Sequence, residues 1–154
     1  MTHKKIILFL ILSFSIFFYI ISFIRIKNQI LIVDEGNHTD QITRFVHGEF
    51  LFNSFLMTIP GYHFVMAVFV KMFKAESLSD IRLIALFLNI LILPVYYLCA
   101  RQIGHSNPLF KTLQFAYFPI IYPFYFLIYT DIFSLLLILA AFFFILRKMI
   151  CYSN

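Results

Sequence analysis

Residues 34–50, DEGNHTDQITRFVHGEF, gather the densest set of side chains in this chain that could do acid–base or anion-binding chemistry. Two adjacent acids, Asp34 and Glu35, open the stretch, and His38, Gln41 and Arg44 or Phe45 follow at three-to-four-residue spacing. If residues 35–47 are helical, these side chains and Gly48 share one face. Asp34 then sits near the N-cap, where free backbone N–H groups stabilise its carboxylate as an anion. A carboxylate kept ionised just outside a membrane is suited to take the proton of an attacking hydroxyl group. Plainer readings exist for each residue. An acid pair is also what a solvated loop contains, Glu35 could do no more than set helix-start electrostatics, and His38, Gln41 and Arg44 could form a polar face resting on lipid headgroups.

The segments that must position these residues are apolar and long. The chain is 62% hydrophobic and 12% charged, with 22 Phe among 154 residues and a mean hydropathy of +0.93, far from the composition of a water-soluble domain. Residues 6–24 carry no charge and are about long enough to cross roughly 30 Å of hydrocarbon. Residues 81–99 form a second expected crossing, with Arg82 at its end free to snorkel to the interface and Pro94 placing a kink. The apolar run from residue 112 onward is interrupted at Tyr129-Thr130-Asp131. One helix through that point would put a carboxylate in lipid, so the run divides into crossings at 112–129 and 132–146, with Asp131 at the turn. Residues 59–73 are apolar but short and open on Pro60-Gly61, which predicts an interfacial or re-entrant helix. The expected fold is therefore all-α: a polytopic transmembrane helical bundle with about four crossings and a loop over residues 25–80 that holds short juxtamembrane helices.

Basic residues near the segment ends orient this bundle. Lys4, Lys5, Arg101, Lys111, Arg147 and Lys148 fall on one side, expected to be cytoplasmic, and all seven acidic residues fall on the other. The formal charge of +5 thus serves topology; basic residues that flank apolar segments do not make the exposed patch that a nucleic acid needs. Cys99 and Cys151 have no paired spacing, and His47, His63 and His105 lack ligand spacing, so no metal site or disulfide framework is expected. No Gly-rich phosphate loop and no cofactor motif is present.

The pattern DExxHxxQxxRFxxGxF, carried by Asp34, Glu35, His38, Gln41, Arg44, Phe45, Gly48 and Phe50, resembles the first luminal loop of the endoplasmic-reticulum α-1,2-glucosyltransferases that add the last glucose to the dolichol-linked oligosaccharide. Thr58-Ile59-Pro60-Gly61-Tyr62 resembles that family's Thr-Pro-Gly segment, Arg82 with Asn89 the start of its next crossing, and FPIIYPFYFLIYTD over residues 118–131 its aromatic-rich stretch ending in Tyr-Thr-acid. The chain departs from the pattern at Gly36-Asn37 and in having no Trp, and it is expected to be the N-terminal part of the multi-pass module.

The resemblance implies a transferase that uses a lipid-phosphate sugar. Asp34 would be its catalytic base, Glu35 an acid that shapes the site, and His38, Gln41, Arg44 and Asp131 substrate-binding residues. Asp131 also reads as no more than the cap of the fourth helix. The implied donor is dolichyl-phosphate-glucose and the implied acceptor the lipid-linked oligosaccharide used for protein N-glycosylation, in the endoplasmic-reticulum membrane. The same features would suit a bacterial relative using polyprenyl-phosphate sugars at the inner membrane. They would also suit a truncated, non-catalytic remnant or assembly subunit that keeps the loop without the rest of the donor pocket.

Overall fold

The computed structural model describes residues 3–32, 34–56 and 60–153, and every regular element among them is a helix. The chain runs through α1 (His3–Ile26), α2 (Glu35–Val46), α3 (Gly61–Phe73), α4 (Leu78–Ile90), α5 (Ile92–Gln102), α6 (Pro108–Ala116), a 3-10 turn (Tyr122–Phe126) and α7 (Thr130–Ser153). Three stretches are long and apolar enough to cross a membrane: Phe9–Ile26, Leu78–Gln102 and Thr130–Met149. The protein is therefore an all-helical, multi-pass membrane protein. Its outward faces are what lipid contact requires, with Phe9, Phe14 and Ile16 on α1 and Ile138, Phe144 and Ile145 on α7 all exposed.

The second apolar run bends where proline demands it. Pro94 cannot donate to the Ile90 carbonyl and its ring crowds that carbonyl, so the helix breaks at Leu91 and restarts with Pro94 in the first turn of α5, where a missing N–H costs little. Ser77 begins the run with a capping box, its side chain accepting from the Asp80 N–H while Asp80 reaches back to Ser77.

Residues 112–129 do not form the straight helix expected of a crossing. Pro119 pushes Phe118 away from helical geometry, and Pro119 and Pro123 together remove two donors. As a result α6 stops at Ala116, about 14 Å after it starts at 1.5 Å per residue, and the chain goes on through turns and the 3-10 segment. It still passes from the α5 end of the bundle to the start of α7. Irregular backbone at that depth needs partners from protein, since lipid offers none. The buried Asn89 amide donates to the carbonyls of Phe124, Tyr125 and Leu127, and the Tyr19 hydroxyl donates to that of Ala116. Ser22 and Tyr122 share a hydrogen bond of 2.8 Å.

Two apolar clusters hold the elements together. One joins Ile42 and Phe45 of α2, Tyr62, Met66 and Val70 of α3, and Ile81, Ala85 and Leu88 of α4. The other joins Leu86, Ile92, Tyr125, Phe126, Ile132 and Leu136, with Tyr19 and Phe23 of α1 packed against it. α5 and α7 run side by side in the same direction, tied at Cys99 Sγ to the Leu139 carbonyl. The end of α1 and the starts of α2, α4 and α7 consequently converge at one end of the bundle.

Candidate active site at the convergent helix ends

A buried ion pair organises that end. Arg82, on the second turn of α4, is fully buried; it does not snorkel to the interface as its position near the end of the run suggested. Its Nε donates to Glu35 Oε1 at 2.9 Å and its Nη2 to Glu35 Oε2 at 2.6 Å. Its Nη1 donates to the carbonyls of Ile26, Lys27 and Gln29, and Nη2 reaches that of Ile30. The guanidinium thus satisfies the last carbonyl of α1 and those of the turn after it, where the helix dipole favours a cation. Glu35, also fully buried, accepts two further bonds from the backbone N–H groups of Ile128 and Ile32. A buried charge pair offsets its desolvation only when its remaining hydrogen bonds are satisfied, and here they are. One pair fixes α1, α2, α4 and the approach to α7 with respect to one another.

Asp34 occupies the N-cap position of α2, yet its side chain makes no capping hydrogen bond. Its backbone carbonyl accepts from Asn37 and His38, and its carboxylate is exposed. The neighbouring acids therefore have opposite settings: Glu35 is buried in an ion pair and Asp34 is exposed without a capping bond.

His38 lies one turn after Asp34 and is 5% exposed. Its Nδ1 is 2.8 Å from Nε2 of His63, on the first turn of α3, and its ring meets the Tyr129 ring edge-on. Tyr129 is in turn anchored by its hydroxyl to the Ile32 carbonyl. Burial lowers the pKa of His38, although the carboxylates of Asp34, Asp131 and Glu35 all pull it upward. Burial, followed by the adjoining His38, brings His63 down to about 4, with the Pro60 backbone opposing in part. Both rings are neutral near pH 7. Asp131, exposed in the first turn of α7, belongs to the same electrostatic neighbourhood.

The structure thus brings Asp34, Glu35, His38 and Asp131 together. Gln41 and Arg44 act elsewhere. Gln41 holds the loop after α2, donating from Nε2 to the Leu51 carbonyl and accepting from the Asn53 N–H at 2.7 Å. Arg44 pairs with Asp40 at 2.9 Å on an exposed flank, and it is Phe45 that shares the buried face with His38 and Gln41. Gly48, at φ +82°, ends α2 in a conformation that L side chains rarely adopt. Much of the 34–50 pattern is therefore architectural. Thr58 and Ile59 of the Thr-Pro-Gly segment lie outside the described residues.

His63, Tyr129 and the pairing role of Arg82 were not among the expected site residues. The available signal was a titratable or charged side chain inside an apolar run, as with His63 among Tyr62, Phe64 and Val65 and Arg82 among Ile81, Leu83 and Ile84. Among the described residues no group of three or more His, Cys, Asp or Glu could hold a metal ion. The sequence profile of the DIE2/ALG10 family matches residues 28–154 of the chain. Neither a curated protein nor a solved structure matches it.

Proposed function

We propose, since this chain belongs to the DIE2/ALG10 family, that it transfers glucose from dolichyl-phosphate-glucose to the terminal α-1,2 position of the lipid-linked oligosaccharide in the endoplasmic-reticulum membrane. Membership makes it a membrane glucosyltransferase type that takes a lipid-linked sugar donor and an oligosaccharide acceptor. The observation that carries the finer reading is the unengaged, exposed carboxylate of Asp34 at the meeting point of the helix ends. A lipid-borne donor keeps its reacting phosphate at headgroup depth, so the base should stand where apolar helices end.

In this reading the acceptor hydroxyl oxygen attacks the anomeric carbon from the face opposite the phosphate. A bond forms between that oxygen and the anomeric carbon as the bond to the phosphate oxygen breaks. The hydroxyl proton passes to Asp34, the electron pair of the broken bond leaves on the lipid phosphate, and the anomeric centre inverts. Phosphate is already a good leaving group, so the site needs donors and dipoles for its charge more than a strong acid. Glu35 acts by fixing the start of α2, and Asp131 flanks the acceptor.

The reading is tested by presenting the purified chain, in liposomes, with dolichyl-phosphate-glucose, dolichyl-phosphate-mannose and a nucleotide-linked glucose, each with the oligosaccharide acceptor. Transfer from the first donor alone is expected. Transfer from the nucleotide-linked sugar, or from none of the three, would contradict it.

A further inference from the structure

Residues 50–55 carry an apolar surface that the proposed transfer leaves unused. Phe50, Leu51, Phe52 and Phe55 are 65%, 72%, 65% and 79% exposed, and the polar groups beneath them hold them so. Gly48, in the left-handed region, reverses the chain after α2, and the returning segment is tied to that helix. Gln41 Nε2 donates to the Leu51 carbonyl, Gln41 Oε1 accepts from the Asn53 N–H, and Asn53 Nδ2 donates to Asp40. Asn53 Oδ1 in turn accepts from the Phe55 N–H. Amide side chains thus occupy the contacts with α2, and the large apolar side chains are left outside.

Four such side chains held together in water are unfavourable, and their surroundings fit hydrocarbon. Phe50 and Phe52 pack their rings on Phe45, and so does Phe64 of α3, so the loop and α3 share one surface. α3 extends that surface with Phe64, Val68 and Met72, all exposed at four-residue spacing. Lys71 and Lys74 stand exposed where the stripe ends. Amines at that place can meet lipid phosphates while their stems stay among apolar chains. An apolar face that finishes in basic residues is what a helix lying in a bilayer interface presents. Water has a separate side, because α2 exposes Asp40 and Thr43. The bilayer is also at hand, since α2 starts where α1 ends and α4 and α7 begin.

We propose that residues 50–55 form a wedge inserted in the phospholipid leaflet at the site end of the bundle, with Phe50, Leu51, Phe52 and Phe55 among the acyl chains. The outer face of α3 lies beside the wedge, and Lys71 and Lys74 sit among the headgroup phosphates. The interfacial helix expected over residues 59–73 accounts for α3 alone; the wedge adds the loop that precedes it. Because Gln41 and Phe45 join the wedge to α2, its insertion fixes α2 against the headgroup layer. The wedge does not depend on the transfer reaction.

The chain has no Trp, so a single introduced indole reports without background. Phe52→Trp, Phe55→Trp and, on the polar side of α2, Thr43→Trp are each made in the full chain and reconstituted in phosphatidylcholine–phosphatidylserine liposomes. The two loop variants should emit at shorter wavelength than Thr43→Trp. They should also lose most of their emission in lipids brominated near the top of the acyl chains, and little to aqueous iodide. Loss to iodide without loss to bromine would overturn the wedge and leave the loop in water. Short-wavelength emission insensitive to both quenchers would also overturn it, by placing a second copy of the chain over the loop. Trp itself favours membrane interfaces, so the unaltered chain is also photolabelled with a phospholipid carrying a diazirine on its acyl chain. Adducts at residues 50–55 are expected alongside those on the exposed faces of α1 and α7. Adducts on α1 and α7 with none at residues 50–55 would overturn the proposal, whatever the variants show and whether or not they fold.

Discussion

At the scale of single residues, adjacent acids have been given different tasks by their surroundings. Glu35 accepts from a guanidinium and two backbone N–H groups, while Asp34 has no capping bond. Removing one partner of a buried ion pair leaves an uncompensated charge, so Glu35→Gln and Arg82→Met should each destabilise the folded chain by about 3–5 kcal/mol. The double variant should cost less than the sum, which a thermal-unfolding mutant cycle would measure; additive losses would mean the pair is not coupled. The histidines set a pH dependence. The folded-state pKa values of His38 and His63 are lowered, so the unfolded chain binds more protons below its ordinary value of about 6.5. Stability from this source is complete above that pH and is lost as pH falls toward about 4, the His63 value. Thermal midpoints recorded across this range should fall in the unaltered chain and fall less steeply in His63→Phe.

At the scale of elements, the apolar runs made α1 and α7 legible, because a charge-free stretch of crossing length has few alternatives. Pro94 likewise marked the break between α4 and α5. Residues 112–129 were harder to read. Hydropathy treats the segment as one run, but Pro119 and Pro123 together prevent a continuous helix, and the hydrogen bonds that make the broken path tolerable come from Asn89 and Tyr19, far away in sequence. Arg82 was legible as a charge in an apolar run, yet its partner Glu35 is 47 residues earlier, which no local pattern encodes. The same holds for His63 and His38. The bracing of the broken segment is testable. Asn89→Leu should free the carbonyls of Phe124, Tyr125 and Leu127 and cost about 1–3 kcal/mol, with faster amide hydrogen exchange confined to residues 117–129. Unchanged exchange there would assign the bracing to packing alone.

At the scale of the whole molecule, α1 finishes and α2, α4 and α7 start at one end of the bundle, which puts the candidate site and its acids at that end and both chain termini at the other. Combined with the basic residues near Lys4, Arg101 and Arg147, this geometry leads us to expect termini on the cytoplasmic side. Sequons engineered after Arg101 should stay unmodified; their glycosylation would reverse the orientation. The natural sequon at Asn37-His38-Thr39 lies within α2, where Thr39 donates to the Glu35 carbonyl, and should be modified poorly even on the luminal side.

If Asp34 takes the acceptor's proton, Asp34→Asn, which keeps size but removes basicity, should separate chemistry from folding. Turnover of glucose from a synthetic dolichyl-phosphate donor to the lipid-linked oligosaccharide should fall by about 10² to 10⁴, with abundance and donor affinity nearly unchanged. A folded Asp34→Asn protein with near-normal turnover would contradict the account and pass the role of base to Asp131.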